Sequence, residues 1–426
     1  MMGFVNELQW RGMIHDIMPG TEEQLEKELT AGYVGFDPTA DSLHIGNLVS
    51  IMMLKHLQKA GHKPFALVGG ATGMVGDPSG KAEERKFLSE EILQQNLKGV
   101  KAQLKSFLNF DCGENSAEIV NNYDWFKDFS LLDFLRDAGK HLTINYMMSK
   151  DSVKKRLETG ISFTEFSYQL IQGYDFYHLN KEKNCKLQMG GSDQWGNITT
   201  GTEFIRRLGG GDAFALTCPL ITKADGSKFG KSEGGNIWLD PKRTSPYKFY
   251  QFWLNQSDED ALKSIKIFTM KTEEEINELN TQHNEAPHLR ILQNALAEDI
   301  TVAVHSTEAL ENAKAASQIL FGKSTEENVR ELSVEAFQLI GQEVTLHEIN
   351  KELIPNGISI VDLLSENAPI FSSKGEARRA LKNNAVAVNK NKVQDSKMIT
   401  SDDVIKENYI LLQNGKKNYH LIVLQD

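Results

Sequence analysis

Between residues 30 and 200 the chain alternates two kinds of hydrophobic pattern. Short runs rich in β-branched and aromatic residues, Tyr33 to Phe36, Pro64 to Gly69, Glu118 to Asn121 and Cys185 to Met189, predict strands. Between them Leu48 to Lys59, Glu90 to Leu108 and Ser162 to His178 carry apolar residues at helical spacing. Strand and helix in turn predict an α/β fold, a Rossmann-like parallel sheet built from βαβ units. Ligands of such sheets bind beyond the carboxyl ends of the strands, so the loops there are where chemistry is sought.

After Pro246 the pattern turns purely helical, with apolar periodicity through Leu289 to Val304 and Glu308 to Leu320. The polar stretch from Gly322 to Asn328, and the weakly patterned residues up to about Gly357, read as connector. A compact α+β module follows. The expected division is an α/β domain over 1–245, a helical domain over 246–322, a linker over 323–357 and a small module over 358–426, in keeping with 426 residues.

Composition adds a few exclusions. With 40% apolar and 25% charged residues the chain is of ordinary globular type. No apolar run approaches the roughly 18 residues of a membrane span, and the first twenty residues carry Glu7, Arg11 and Asp16, so a cytoplasmic protein is expected. Cys112, Cys185 and Cys218 lack paired metal-ligand spacing and read as reduced thiols; no metal site is expected. A net charge of -11 argues against nucleic-acid binding, yet residues 356–426 hold ten basic against eight acidic side chains.

Three segments carry candidate chemistry. Gly35-Phe-Asp37-Pro-Thr39-Ala-Asp-Ser-Leu-His44-Ile-Gly46-Asn47 leads from a strand through a turn into a helix whose N-terminus favours anions. His44 and Asn47 share its first turn, and Gly46 leaves the backbone open to a flat base. The same turn reads equally as a helix capped by Asp41 or Ser42. Lys228-Phe-Gly-Lys231-Ser232, held between glycines, puts two cations in one loop, suited to a polyphosphate or to plain solvent. On the helix near residue 170, Tyr168, Gln172 and Asp175 fall on one face, while Gly191, Asp193 and Gln194 follow a strand.

His-Ile-Gly-Asn resembles the HIGH signature of class I aminoacyl-tRNA synthetases and Lys-Phe-Gly-Lys-Ser resembles their KMSKS motif. The extended first motif is similar to that of bacterial tyrosyl-tRNA synthetases, and the resemblance runs from Leu8 to Val423. It implies a tyrosine–tRNA ligase with a connective insertion in its α/β domain, taking L-tyrosine, ATP and tRNA(Tyr) as partners and working as a homodimer. Mg²⁺ would ride on the ATP phosphates.

Position by position, the resemblance implies that Tyr33 and Asp175 hold the substrate phenol. Asp77, Tyr168 and Gln172 would receive its α-ammonium, with Gln194 by the carboxylate. Gly35, Asp37, Thr39, His44, Gly46, Asn47 and Ser50 would line ATP, with Gly191 and Asp193 at the ribose. Thr39, His44, Asn47, Lys81, Arg85, Lys228, Lys231 and Ser232 would stabilise the transition state. Val34 stands where relatives often have Cys, and Asn47 where the signature ends in His. A carboxylate nucleophile is already ionised, so the chemistry requires positioning and charge stabilisation instead of a general base.

Ser373-Lys374-Gly-Glu376 has capping-box spacing and opens a short basic helix with Arg378, Arg379 and Lys382. The segment resembles the small RNA-binding module of a ribosomal protein and of bacterial tyrosyl-tRNA synthetases, which implies phosphate contacts by Lys374, Arg378, Arg379 and Lys382. The rival readings are a tryptophanyl-tRNA synthetase, a simple nucleotidyltransferase and an RNA-binding protein without catalysis. Tyr33 with Asp175, and the terminal module, favour tyrosine.

Overall fold

The computed structural model describes residues 3–77, 89–150, 153–154, 160–224, 226, 229–232, 235–416 and 418–425, with backbone alone at Lys231 and Ser232. Two compact units emerge: Met1–Thr244 with Trp253–Ile300, and Ser245–Phe252 with Thr301–Asp426.

The first unit is built on a six-stranded sheet of β1 (Asp16–Ile17), β2 (Ala31–Phe36), β3 (Lys63–Val68), β4 (Glu118–Asn121), β5 (Cys185–Gly191) and β6 (Phe214–Cys218). Its order is β1-β6-β5-β2-β3-β4. β1 runs antiparallel on β6 and every other pair is parallel. From β2 the chain steps outward to β3 and β4, then returns to place β5 on the opposite side of β2. That reversal opens a crevice at the carboxyl ends of β2 and β5.

β2 and β3 are buried almost throughout, as strands covered on both faces must be. On one face lies the helix Ile45–Lys59. A side chain at Gly32 would come within 2.9 Å of Leu57 and 3.3 Å of Leu187, so this glycine lets helix and sheet pack closely. On the other face Tyr33, Phe65 and Cys185 form a cluster with Phe176 and Leu179 of the helix Phe163–Lys183 and with Ile205 of the helix Trp195–Arg207. Ser162 and Glu165 cap the first of these helices reciprocally, and Asn184 ends it at φ 49°.

The four strands read from sequence are present with ends shifted by two residues at most; β1 and β6 are additional. β7 (Lys231–Ser232) and β8 (Gly235–Asn236) make a short antiparallel pair after β6.

The second unit carries a five-stranded sheet of order β12-β11-β14-β15-β9, from β9 (Thr345–Asn350), β11 (Val386–Val388), β12 (Asn391–Lys392), β14 (Tyr409–Asn414) and β15 (Asn418–Gln425). β10 (Ile358–Ser359) pairs with β13 (Met398–Ile399). The helix Lys374–Lys382 buries Ala377 and Leu381 in a core with Ile360, Leu363, Val386, Ile410 and Ile422.

Residues 323–357, expected to be a linker, instead hold the helices Glu326–Arg330 and Val334–Glu343 and the strand β9, which pairs in parallel with β15 over six residues. β9 buries only Ile349, so its place in the sheet leaves almost no hydrophobic alternation to read.

Candidate active site

The turn after β2 is stiffly built. Asn96 donates to the carbonyl of Pro38 at 2.9 Å, and Gln103 accepts from Leu43 N–H at 2.8 Å while donating to Ser42 at 3.0 Å. The helix cap is neither Asp41 nor Ser42. His44 is the N-cap: its Nδ1 accepts from Gly46 N–H at 3.0 Å, and Asn47 Oδ1 accepts from His44 N–H at 3.1 Å. With Nδ1 accepting, the neutral ring carries its proton on Nε2, a donor. Asn47 therefore fixes the turn with an uncharged acceptor, which a protonated histidine could not supply. Thr39, Gly35 and Gly46 are exposed at this mouth, and Ser50 is half-buried one turn further.

The Lys-Phe-Gly-Lys-Ser segment meets that turn. Gly230, at φ 84°, lies so close that a side chain would be 3.0 Å from Ile45 Cγ1 and 3.6 Å from Gly46 N. Its carbonyl accepts from Ile237 N–H, and Ile45 N–H donates to Ile237 O, both at 3.0 Å. Lys81, Arg85 and Lys228 lie outside the described residues, as do the side chains of Lys231 and Ser232.

Beyond β2, β3 and β4 a polar network is buried. Tyr168 donates to Asp37 Oδ2 at 3.0 Å, and Thr72 donates to Asp37 Oδ1 at 2.7 Å. Asn122 donates to Thr72 at 3.1 Å and to Asp175 at 3.0 Å, and Trp125 Nε1 donates to Asp175 at 2.9 Å. Gly69 is compulsory here: a side chain would come within 2.2 Å of Asp37 and 2.3 Å of Thr72. Asp37, expected beside the nucleotide, thus ties Tyr168 to the β3 loop. Gln194 donates to Asp77 at 2.7 Å and receives Asn197 at 3.2 Å.

Two features mark this network as a receptor for something polar. Tyr33 is 1% exposed, and its hydroxyl has no hydrogen-bond partner among the described residues. Gln172 Oε1 and Gln188 Oε1 are likewise buried without one. Each such group costs about 1–3 kcal/mol unless a ligand satisfies it. The stripe of Tyr168, Gln172 and Asp175 is therefore turned inward, while Leu170, Phe166 and Tyr174 on the same helix pack against Ala138, Leu142 and Met147 of the segment between β4 and β5.

Burial governs the electrostatics. It raises Asp175 to about 8, against the hydrogen bonds from Asn122 and Trp125 that favour its charge. Burial, then the Asp175 charge, pushes Tyr33 well above the usual phenol range. Tyr168 is raised likewise, by burial and then by Asp37 and Asp77. All three hydroxyl and carboxyl groups favour their neutral forms.

Thr72, Asn122, Trp125 and Gln188 also line this network, although none is among the expected site residues; the signal for the first three is topological, since they follow β3 and β4 at carboxyl ends. Leu220, 59% exposed, lies beside Gly191. In the second unit Arg378, Arg379 and Lys382 are exposed, whereas Lys374 is held by Asp362 at 2.6 Å and Glu366 at 2.9 Å. Cys112, Cys185 and Cys218 are free thiols. Among the described residues no helix is long and apolar enough to cross a membrane.

Residues 25–322 match the model for tRNA synthetases class I (W and Y), and residues 338–422 match the SYY-like C-terminal domain of tyrosine–tRNA ligase. The tyrosine–tRNA ligase of Cytophaga hutchinsonii is 61% identical over 424 residues, 99% of each chain. That of Porphyromonas gingivalis (strain ATCC 33277) is 61% identical over 430 residues, covering both chains fully. A C-terminally truncated mitochondrial tyrosyl-tRNA synthetase from Aspergillus nidulans superposes with a TM-score of 0.68 at 29% identity, covering 75% of this chain and 95% of that one. The chain belongs to the class I tRNA synthetases (W and Y), and within them to the tyrosine–tRNA ligases.

Proposed function

We propose that the chain activates L-tyrosine with ATP, releasing pyrophosphate, and then passes the tyrosyl group from the adenylate to the 3′ end of tRNA(Tyr). The observation that carries the pocket assignment is the buried Tyr33 hydroxyl, without a hydrogen-bond partner among the described residues and beside Asp175. A substrate phenol satisfies it by accepting from Tyr33 and donating to Asp175. Phenylalanine would leave the Tyr33 hydroxyl unpaired in a dry niche.

The polar groups around this niche have distinct tasks. Asp77, Tyr168 and Gln172 hold the α-ammonium, with Gln194 near the carboxylate. That carboxylate attacks the α-phosphate, forming the acyl–phosphate bond as the bond to pyrophosphate breaks. Gly191 and Asp193 take the ribose. His44 donates through Nε2 to phosphate oxygen, and Thr39, with Lys81, Arg85, Lys228 and Lys231, grips the departing pyrophosphate. Such contacts raise rate to the extent that they tighten in the transition state. Mg²⁺ enters on the ATP as part of the substrate.

Exchange of labelled pyrophosphate into ATP, run with each of the twenty amino acids, tests this reading. Tyrosine is expected to support it and phenylalanine barely; vigorous exchange with tryptophan, or with nothing, overturns it.

The chain is further proposed to act in the cytoplasm as a homodimer. Leu131, Leu132, Ile144 and Phe163, between β4 and β5, are exposed apolar side chains, Leu132 and Phe163 at 77%. Sedimentation of a Leu132→Asp variant tests this: a dimer unaffected by the charge places the interface elsewhere.

A further inference from the structure

The residues just after the second signature are zipped onto the turn that carries the first. Ile45 N–H donates to Ile237 O at 3.0 Å, and Leu239 N–H donates to Leu43 O at 2.9 Å. This places His44 and Trp238 opposite one another as an antiparallel bridge. Their rings meet edge to face, centroids 5.9 Å apart at 67°.

Trp238 is itself held from behind. The Arg243 guanidinium lies 4.6 Å from its ring centroid and pairs with Asp41 at 2.5 Å, on the same turn as His44. Two further hydrogen bonds close the strap: Trp238 N–H to Thr244 Oγ1 at 3.0 Å and Asp240 N–H to Ser42 Oγ at 3.2 Å.

We infer that Trp238 and Arg243 are positioning residues for the His44 imidazole, holding it at the angle from which Nε2–H reaches a phosphate oxygen. The Gly46 N–H fixes Nδ1 from within the helix start. Trp238 is the wall against which the ring rests on the side facing the strap. Arg243 acts one step further out, keeping that wall upright by joining its face to Asp41. The strap also follows the Lys-Phe-Gly-Lys-Ser segment directly, so the two signatures are held in one register. The inference rests on the proposed role of His44 as a phosphate donor, and the test separates the two.

In full-length protein, Trp238→Leu is expected to lower kcat of tyrosine-dependent pyrophosphate exchange about tenfold, since small misplacements of a catalytic group cost on this scale. KM for tyrosine should stay within about twofold, because the tyrosine niche is untouched. Arg243→Gln should give a smaller loss, about threefold, and Arg243→Lys should recover most of it by keeping the cation on the ring. A burst titration of adenylate formation counts active sites, so loss of folded enzyme is scored apart from loss of rate.

The decisive comparison is with His44→Asn. If that variant alone turns over like the unaltered chain, the role of His44 falls and the inference with it. If it is impaired, adding Trp238→Leu should cost nothing more, because the group being positioned is gone. Multiplicative losses in the double variant, or a Trp238→Leu defect explained wholly by fewer active sites, would overturn the positioning role while leaving that of His44 intact.

Discussion

Phe229 lies flat against Phe268, ring centroids 5.5 Å apart and planes 10° from parallel. Trp253 closes the group, 5.8 Å from Phe229 and 5.1 Å from Phe268. Where the family signature has Met between its lysines, this chain uses an aromatic ring to anchor the loop to the end of the helix Asp258–Phe268. Arg11 fixes that end in turn, donating to the carbonyls of Lys266, Thr269 and Lys271. Phe268→Ala is expected to lower kcat of pyrophosphate exchange by about 10–100-fold through loss of the loop's seat, with KM for tyrosine within about twofold. Phe268→Leu should lie between. A Phe268→Ala enzyme with normal kcat per active site would show that the stack does not hold the loop.

The legibility of this fold from sequence follows the physics of burial. Strands β2 and β3 are covered on both faces and announce themselves as apolar runs. The strand β1 has two residues and β9 buries a single side chain; backbone pairing holds them, and that leaves no hydrophobic trace. The site divides in the same way. His44 and Gly230 sit in motifs whose spacing is local. Thr72 reaches Asp37 across 35 residues of sequence, and Asn122 and Trp125 reach Asp175 across 53 and 50, so topology alone brings them together. Lys374 looked like its neighbours until Asp362 and Glu366 were seen to neutralise it.

Tyrosine binding should be linked to a proton. Asp175, raised to about 8 by burial, is mainly protonated at neutral pH, and a phenol that donates to it requires the carboxylate. Its folded value lies above the unfolded one, so its contribution to stability is complete in acid and is lost as pH rises through about 8. For binding the sign reverses: apparent affinity for tyrosine should rise between pH 6.5 and 8, by up to about tenfold per pH unit, and level off above. Calorimetry at pH 6.5 in buffers of differing ionisation enthalpy should show about one proton released per tyrosine bound, and none from an Asp175→Asn variant. Buffer-independent heats in the unaltered chain would mean that Asp175 is already ionised.

A second titration should appear in stability. His56 lies on the inner face of the helix Ile45–Lys59, 1% exposed, with neither ring nitrogen hydrogen-bonded among the described residues. Burial, aided by the Arg11 charge, lowers it to about 3; Glu7, 3.8 Å from Nδ1, opposes this only in part. The ring is therefore neutral in the folded chain, and the 3.8 Å approach is not an ion pair at physiological pH. Because the folded value is depressed, the neutral ring's contribution is complete above about pH 6.5 and is lost as pH falls toward 3. Between pH 6.5 and 5 the loss should be about 2 kcal/mol. A His56→Leu variant should lose less of its thermal midpoint between pH 7 and pH 5 than the unaltered chain; equal losses would put the acid sensitivity elsewhere.

The exposed cations of the helix Lys374–Lys382 should matter to tRNA and not to adenylate chemistry. Arg378, Arg379 and Lys382 face solvent, free to neutralise phosphates, while Lys374 already sits between two carboxylates. Replacing Arg378, Arg379 and Lys382 together by Ala should reduce kcat/KM for tRNA charging by about 100-fold and flatten its log–log salt dependence by about 2, as lost phosphate contacts do. Pyrophosphate exchange should stay within about twofold. Lys374→Ala alone should change charging by less than about threefold, since its charge is largely spent within the module. If Lys374→Ala proved as damaging as the triple replacement, its ion pairs would have to open on the RNA. If exchange fell in step with charging, the module would be supporting the catalytic unit instead of holding tRNA.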